Sequence, residues 1–201
     1  YTRWEYVYKG IAAIQSLWSM RPDGTGAEEV YGDNIDTPGV FFAGRQIPGQ
    51  SDRIVALGCG HEPLAVGSIR LIDRKKDRRT KEAMTSLTPE VETRGLRGLY
   101  QFRNGRWSEE VTGSFFADPF PLSDTFFLVA HNPDKRYNDV NGYGVYLLDA
   151  FGNRVPIYQD PEMSCFQPMV LASRQAAPIL PAMSVEAQPG EGEATVLLVD
   201  L

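Results

Sequence analysis

The chain has 201 residues, a formal net charge of −6, 42% hydrophobic residues and 23% charged residues, a composition typical of a folded globular protein. The acidic balance argues against a nucleic-acid-binding surface, which carries clustered positive charge. No run of about 18 apolar residues occurs, so the sequence holds no candidate transmembrane helix, and two cysteines are too few for a disulfide framework.

Short apolar runs bounded by Gly, Pro, Asn and Asp predict an all-β protein, because long amphipathic helical patterns are nearly absent. The predicted strands are, in chain order, residues 4–8, 14–20, 40–43, 54–57, 68–72, 126–130, 145–148, 155–158 and 195–199. Residues 93–105 predict an exposed insertion in which a short helix is one option.

An internal repeat is the most informative feature of the sequence. Residues 145–160 repeat the pattern of residues 17–33: an apolar strand, a turn with Gly, a second apolar strand and an Asp. A third copy, residues 68–88, has a longer basic loop. The strands before two of these hairpins also match, since both carry Phe-Phe-Ala, a Pro and then Ser-Asp. We expect the Asp of each pair, Asp52 and Asp124, to hold the reversal by accepting backbone hydrogen bonds two residues on.

A four-stranded unit of about 40–50 residues predicts a β-propeller blade. Complete blades of antiparallel strands are predicted at about 40–89 and 113–160, and partial blades at about 1–33 and 165–175. Residues 1–177 thus predict a partial β-propeller, and residues 178–201 a Pro-rich connector with the first strand of a following domain. Because the sequence starts at Tyr1, we expect a fragment of a longer chain. A β-sandwich with coincidental similarity between the repeats is the alternative.

The Gly-rich stretch 58–68 connects the second and third strands of one predicted blade and contains Cys59, His61 and Glu62. All three side chains can ligate a metal, although the Cys-x-His spacing matches no strong zinc motif. A tight turn in which His61 caps backbone groups is the alternative. His61 and His131 are predicted at the same blade position, which would place both on one face.

Cys165 is predicted at the entry to the innermost strand of the next blade. A thiolate there could ligate a metal or a haem partner, and a buried, inert thiol is the alternative. The basic run 74–81 suits an acidic partner or a membrane surface, or is a solvated hairpin loop. The sequence contains no dinucleotide fingerprint before a helix, no nucleophile elbow and no haem-attachment motif.

Several of these stretches together resemble the middle region of the hydrazine synthase alpha-subunit family. The segment at 164–168, Ser-Cys-Phe-Gln-Pro, is one of them. The matching segments are 17–26, 43–49, 67–73, 87–91, 119–123, 146–153 and 164–168. The resemblance covers nearly the whole chain, and most of the matching residues belong to the predicted blade scaffold.

The resemblance implies a large, extracytoplasmic (periplasmic or related), mostly bacterial protein whose propeller is related to TolB and WD40-like repeats. It implies a haem-associated redox role in which this segment shapes a pocket or docking face for neighbouring domains of the same chain or for redox subunits. No cofactor is expected within the segment, and c-type haem or zinc is expected elsewhere in the longer protein. His61 and Cys165 are the candidate metal or haem-pocket contacts. A non-catalytic propeller that binds protein or glycan is the alternative, so whether the chain serves an enzyme stays open.

Overall fold

A computed structural model describes residues 1–5, 14–61, 65–91, 93, 102–103, 106–107, 114–173, 176 and 179. Within these residues the protein is all-β, as predicted, with one short 3-10 turn at Lys81–Ala83. The strands are β1 Thr2–Trp4, β2 Gln15–Ser19, β3 Glu28–Tyr31, β4 Val40–Ile47, β5 Gln50–Cys59, β6 Ser68–Asp73, β7 Met84–Ser86, β8 Phe102–Arg103, β9 Arg106–Trp107, β10 Phe115–Pro121, β11 Phe126–Asn132, β12 Gly144–Asp149 and β13 Arg154–Tyr158.

The strands form two main sheets. A seven-stranded sheet has the order β1-β2-β4-β5-β6-β7, with β3 paired to β2, and a four-stranded sheet has the order β10-β11-β12-β13. All pairings are antiparallel except β2 with β4, a parallel contact between Gln15 and Val40. Strands β8 and β9 form a separate two-stranded sheet, with β8 inside the insertion predicted at 93–105 and β9 just after it. We refer to β1–β3 as unit 1, to β4–β7 as unit 2 and to β10–β13 as unit 3.

Units 2 and 3 share a bulge in their first strand. The register shifts between Phe42 and Arg45 in β4 and between Ala117 and Phe120 in β10. The bulge holds a non-glycine residue in the left-handed region, Ala43 at φ 50° and Asp118 at φ 48°. Such a conformation is uncommon outside glycine, and a bulge redirects the side chains that follow it. Gln167, which like Asp118 is followed by Pro in the sequence, adopts φ 52° in the segment after unit 3.

The hairpins of the repeat use aspartate at the predicted Gly turn but not at the predicted Ser-Asp turn. Asp149 Oδ1 accepts from the backbone N of Phe151 and of Asn153, both at 2.9 Å. At the other reversal the hydroxyl of Ser123 accepts from the backbone N of Thr125, at 3.1 Å. Asp124 instead accepts from a glutamine side chain of unit 2. The prediction for Asp124 was therefore wrong, because its serine neighbour makes the turn contact.

Backbone hydrogen bonds connect each unit to the next. Gln15 N donates to Gly39 O at 3.0 Å, which joins unit 1 to unit 2. Gly67 and Phe116 exchange two hydrogen bonds of 2.9 Å, which join unit 2 to unit 3. Cys165 N donates to Tyr143 O at 2.8 Å, the counterpart of the bond from Phe116 N. The segment 164–173 therefore begins as β4 and β10 begin.

The core lies between units that pack front to back. The front face of unit 2 contains Val55, Leu57 and Ile69, which pack against Phe127 and Leu148 of unit 3. The opposite, back face of unit 2 packs against unit 1, and its members Ala56 and Ile72 cluster there with Leu17 and Tyr31. Because β-strand side chains alternate between faces, unit 2 is buried on both faces. Its side chains are 0–1% exposed at positions 55, 56, 57, 69 and 72.

Each strand predicted within the described residues overlaps an observed strand; most observed strands are longer than predicted, whereas β2 is shorter than the predicted 14–20. The run predicted at 40–43 extends to Ile47, because the strand continues through the bulge. The run predicted at 4–8 is observed as Thr2–Trp4, and the remainder lies outside the described residues. The connector and following strand predicted at 178–201, including the strand at 195–199, also lie outside them, apart from Ile179.

Candidate functional site

His61 lies two residues beyond the end of β5, against unit 1. Gln15 Nε2 and His61 Nδ1 are 3.3 Å apart, and the centroids of the Trp4 and His61 rings are 5.5 Å apart. The ring is partly buried. The His61 ring therefore has a polar partner and an aromatic neighbour from unit 1. These contacts fit both the structural-turn alternative and the predicted metal ligand.

His131 is not equivalent to His61, so the prediction that both occupy one blade position was wrong. His131 is inside β11, opposite Phe116 and Gly144. The residue with the same pairing in unit 2 is Gly58, which lies opposite Phe41 and Ser68. Both histidines follow an apolar run in the sequence, but the strand of unit 3 continues through its histidine while that of unit 2 ends before His61.

His131 is a core residue. Its ring stacks on that of Phe116 at 4.2 Å between centroids and meets Tyr146 edge-on at 4.7 Å. Nδ1 lies 3.0 Å from the carbonyl oxygen of Phe115, and since that oxygen can only accept, the proton is on Nδ1. Burial lowers the pKa of His131 to about 4, so the ring is neutral near pH 7.

The two cysteines also occupy packing positions. Cys59 is fully buried, and burial raises the pKa of its thiol to about 12, which keeps it protonated. Cys165 is half-buried. Its bond to Tyr143 places it where units 2 and 3 have Phe41 and Phe116, both 0% exposed. A cysteine at the position of two core phenylalanines fits the packing alternative.

The structure does not bring the predicted metal ligands together. Among the described residues, no three His, Cys, Asp or Glu side chains are grouped so that they could hold a metal ion. Glu62, which the sequence placed beside His61, lies outside the described residues. The metal site at His61 and Cys165 therefore stays a prediction.

The basic hairpin loop at 74–81 is paired with acidic residues of its own chain. Lys75 Nζ lies 2.5 Å from Asp52 Oδ2, and Lys81 Nζ lies 2.9 Å from Asp36 Oδ1. The lysine beside Asp52 lowers the pKa of that carboxyl from its usual value. These contacts agree with the solvated-loop alternative.

A groove of about 700 Å³ lies beside the first strands of units 2 and 3 and the segment 164–173. Arg45 follows the bulge of β4, Phe120 follows the bulge of β10, and Val170 follows Gln167. Arg45 lies at the opposite end of β4 from Val40, which pairs with Cys59 close to His61. The groove is thus at the opposite end of β4 from His61, and neither His61 nor Cys165 lines it.

The groove combines one cation with apolar walls. The Arg45 guanidinium carbon lies 5.2 Å from the centroid of the Phe120 ring, within cation–π range. Pro121, Leu122 and Val170 supply apolar surface, and Arg45 is the charged residue of the lining. The repeated Phe-Phe-Ala motif marked the bulges in the sequence, but only pairing of the strands shows that the residues after them converge.

Searches among protein-family models, curated proteins and solved structures found no match to this chain. Within the part of the chain that the structure describes, no helix is long and apolar enough to cross a membrane.

Proposed function

We propose that this chain is a segment of a β-propeller whose consecutive first strands form a binding groove. The front-to-back packing of the units supports the propeller over a β-sandwich. Each sheet of a two-layer sandwich buries one face, whereas unit 2 buries side chains such as Val55 and Ile72 on opposite faces at 0% exposure. Blades arranged around an axis are covered on both sides by their neighbours.

The observation that carries the binding role is the groove shared by the first strands of units 2 and 3 and the segment 164–173. We infer that its ligand is a peptide segment with a carboxylate next to an apolar side chain. The carboxylate would pair with Arg45, since a guanidinium binds carboxylates through two parallel hydrogen bonds. The apolar side chain would lie on the half-buried Phe120 and the exposed Leu122, both of which line the groove. This is the binding alternative of the sequence prediction, restricted to protein ligands.

A labelled peptide series tests this function. Peptides in which Asp or Glu follows an apolar residue are compared by fluorescence anisotropy with the same peptides carrying Asn or Gln. We expect the acidic series to bind more tightly, and Arg45→Met, which keeps an apolar stem, to weaken binding by at least about tenfold. Arg136→Met, on the β11–β12 connection, serves as the control and should bind as wild type does. Equal binding of acidic and amide peptides, or unchanged binding by Arg45→Met, would contradict the proposal.

The haem-associated redox role stays a prediction that rests on the resemblance. It requires a haem outside the described residues, near His61 or Cys165. Spectra of a longer chain that includes downstream sequence would show a c-type haem if this role holds.

A further inference from the structure

Among the described residues, the front-to-back packing leaves the front face of unit 3 and the back face of unit 1 without a neighbouring unit. In unit 3 the front-face counterparts of Val55 and Ile69 are Leu128 and Val145, as their pairing with β12 and β11 shows. The unit 2 residues are 0% exposed, whereas their unit 3 counterparts are partly exposed. Val155, opposite Leu147 on the same front face, is 61% exposed.

The opposite end of the row presents an uncovered back face. Met20 continues the alternation of β2 on the side away from the buried Leu17, and it is 54% exposed. Ile72 and Leu148, the last apolar back-face residues of the equivalent strands in units 2 and 3, are both 0% exposed. Tyr1, which exchanges backbone hydrogen bonds with Trp18, is 49% exposed beside Met20.

We propose that the front face of unit 3 docks on the back face of unit 1 of a second copy of this chain. The two uncovered faces themselves indicate that a second copy of this chain is the partner. Both contacts between the described units join a front face to a back face, and these units leave one uncovered face of each kind. Exposed apolar patches of this kind mark interaction sites in soluble proteins. The proposal rests on the packing of the units and is independent of the peptide groove.

The contact is heterologous, because two different surfaces meet, and such contacts form rings where the rotation closes. Two copies together hold units in the range of about 4–8 that closes a propeller ring. We therefore expect a closed two-chain assembly. The segment 164–173 of one copy would then lie next to β1 of the other, where it occupies the place that β4 has beside β5.

Two charge substitutions separate this interface from any other mode of association. Val155→Glu places a charge on the front face of unit 3, and Met20→Glu places one on the back face of unit 1. Both positions are more than half exposed in the single chain, so folding should be retained, and circular dichroism with a thermal melt checks this. Val140→Glu is the matched control, because Val140 is 77% exposed on the β11–β12 connection, outside the strands that form the two faces.

Sedimentation velocity and light scattering across micromolar concentrations give the readout. We expect the wild-type chain and Val140→Glu to form the two-chain species, and each interface variant to be monomeric. Mixing Met20→Glu with Val155→Glu restores one intact front-to-back contact and should yield an open dimer. A wild-type chain that stays monomeric would overturn the proposal and would leave the front face for a further unit of a longer protein. Variants that remain dimeric, or a mixture that stays monomeric, would also overturn it.

Discussion

Units 2 and 3 share a bulged first strand and the same register between their second and third strands, and they differ where Gly58 of unit 2 corresponds to His131 of unit 3. A Cβ atom at Gly58 would lie 2.7 Å from Pro38 Cγ and 2.8 Å from Arg70 Cγ, so the site has no room for a larger side chain. In unit 3 the same place is filled by an imidazole stacked on Phe116 and packed against Tyr146, the counterpart of Arg70.

The difference shows which parts of the repeat define the fold. The bulge, the strand register and the hydrogen bonds between units recur, while the residues that fill the interior change as matched sets. Glycine pairs with a long arginine in unit 2, and histidine pairs with tyrosine in unit 3. Backbone geometry therefore transfers between units, whereas the chemistry of a side chain does not.

The largest expected effect tests whether equivalent positions of units 2 and 3 contribute equally to the free energy of unfolding. Phe127 of unit 3 is 0% exposed between two sheets, and Ile54 is its half-buried counterpart in unit 2. We expect Phe127→Ala to lower the free energy of unfolding by about 3–5 kcal/mol and Ile54→Ala by about 1–2 kcal/mol, because the cost follows the buried volume removed. Urea unfolding of both variants gives the comparison. Equal losses would mean that the two interfaces are equally packed.

The repeat was predictable from the sequence because its signals are local. Turn residues, apolar runs and the Phe-Phe-Ala motif recur at matching spacing, so the all-β class and most strands were predicted. The pairing of strands was not, and it decides which residues share a position. The sequence predicts the same position for His61 and His131 because each follows an apolar run. The pairing shows instead that β11 continues through His131, whereas β5 ends before His61. The groove at Arg45 and Phe120 was not predicted for the same reason. A β-bulge changes the direction in which the following side chains point, and no fixed sequence motif identifies it.

An acid titration sharpens the comparison at His131. Its folded-state pKa of about 4 lies below the usual value of 6.5, so the unfolded chain binds the proton more readily. Stability is then highest above the unfolded value and falls as the pH drops from 6.5 towards 4, by on the order of 3 kcal/mol. The nearby charges oppose each other, since Arg154 disfavours the protonated ring and Glu90 favours it.

The control for this titration is His131→Phe, which fills the site without a titrating group. It leaves the Phe115 carbonyl without its donor, a loss of about 1 kcal/mol that does not depend on pH. Other groups titrate in both proteins, so the difference between their unfolding curves isolates His131. A wild-type chain whose stability falls in parallel with that of His131→Phe would show that the ring is not held neutral.

The smallest expected effect concerns Cys165, the counterpart of Phe41 and Phe116. Its equivalence with two packing residues favours a structural thiol, so Cys165→Ala should change the free energy of unfolding by less than about 1 kcal/mol, in line with a half-buried site.

Elemental analysis of the wild type, Cys165→Ala and His61→Ala should then give equal, near-zero zinc and iron. Loss of a bound metal from both variants, with the wild type loaded, would instead support the metal site predicted from the sequence. In that case the segment 164–173 would differ from β4 and β10 at Cys165, and it would carry chemistry at the position where units 2 and 3 carry only packing.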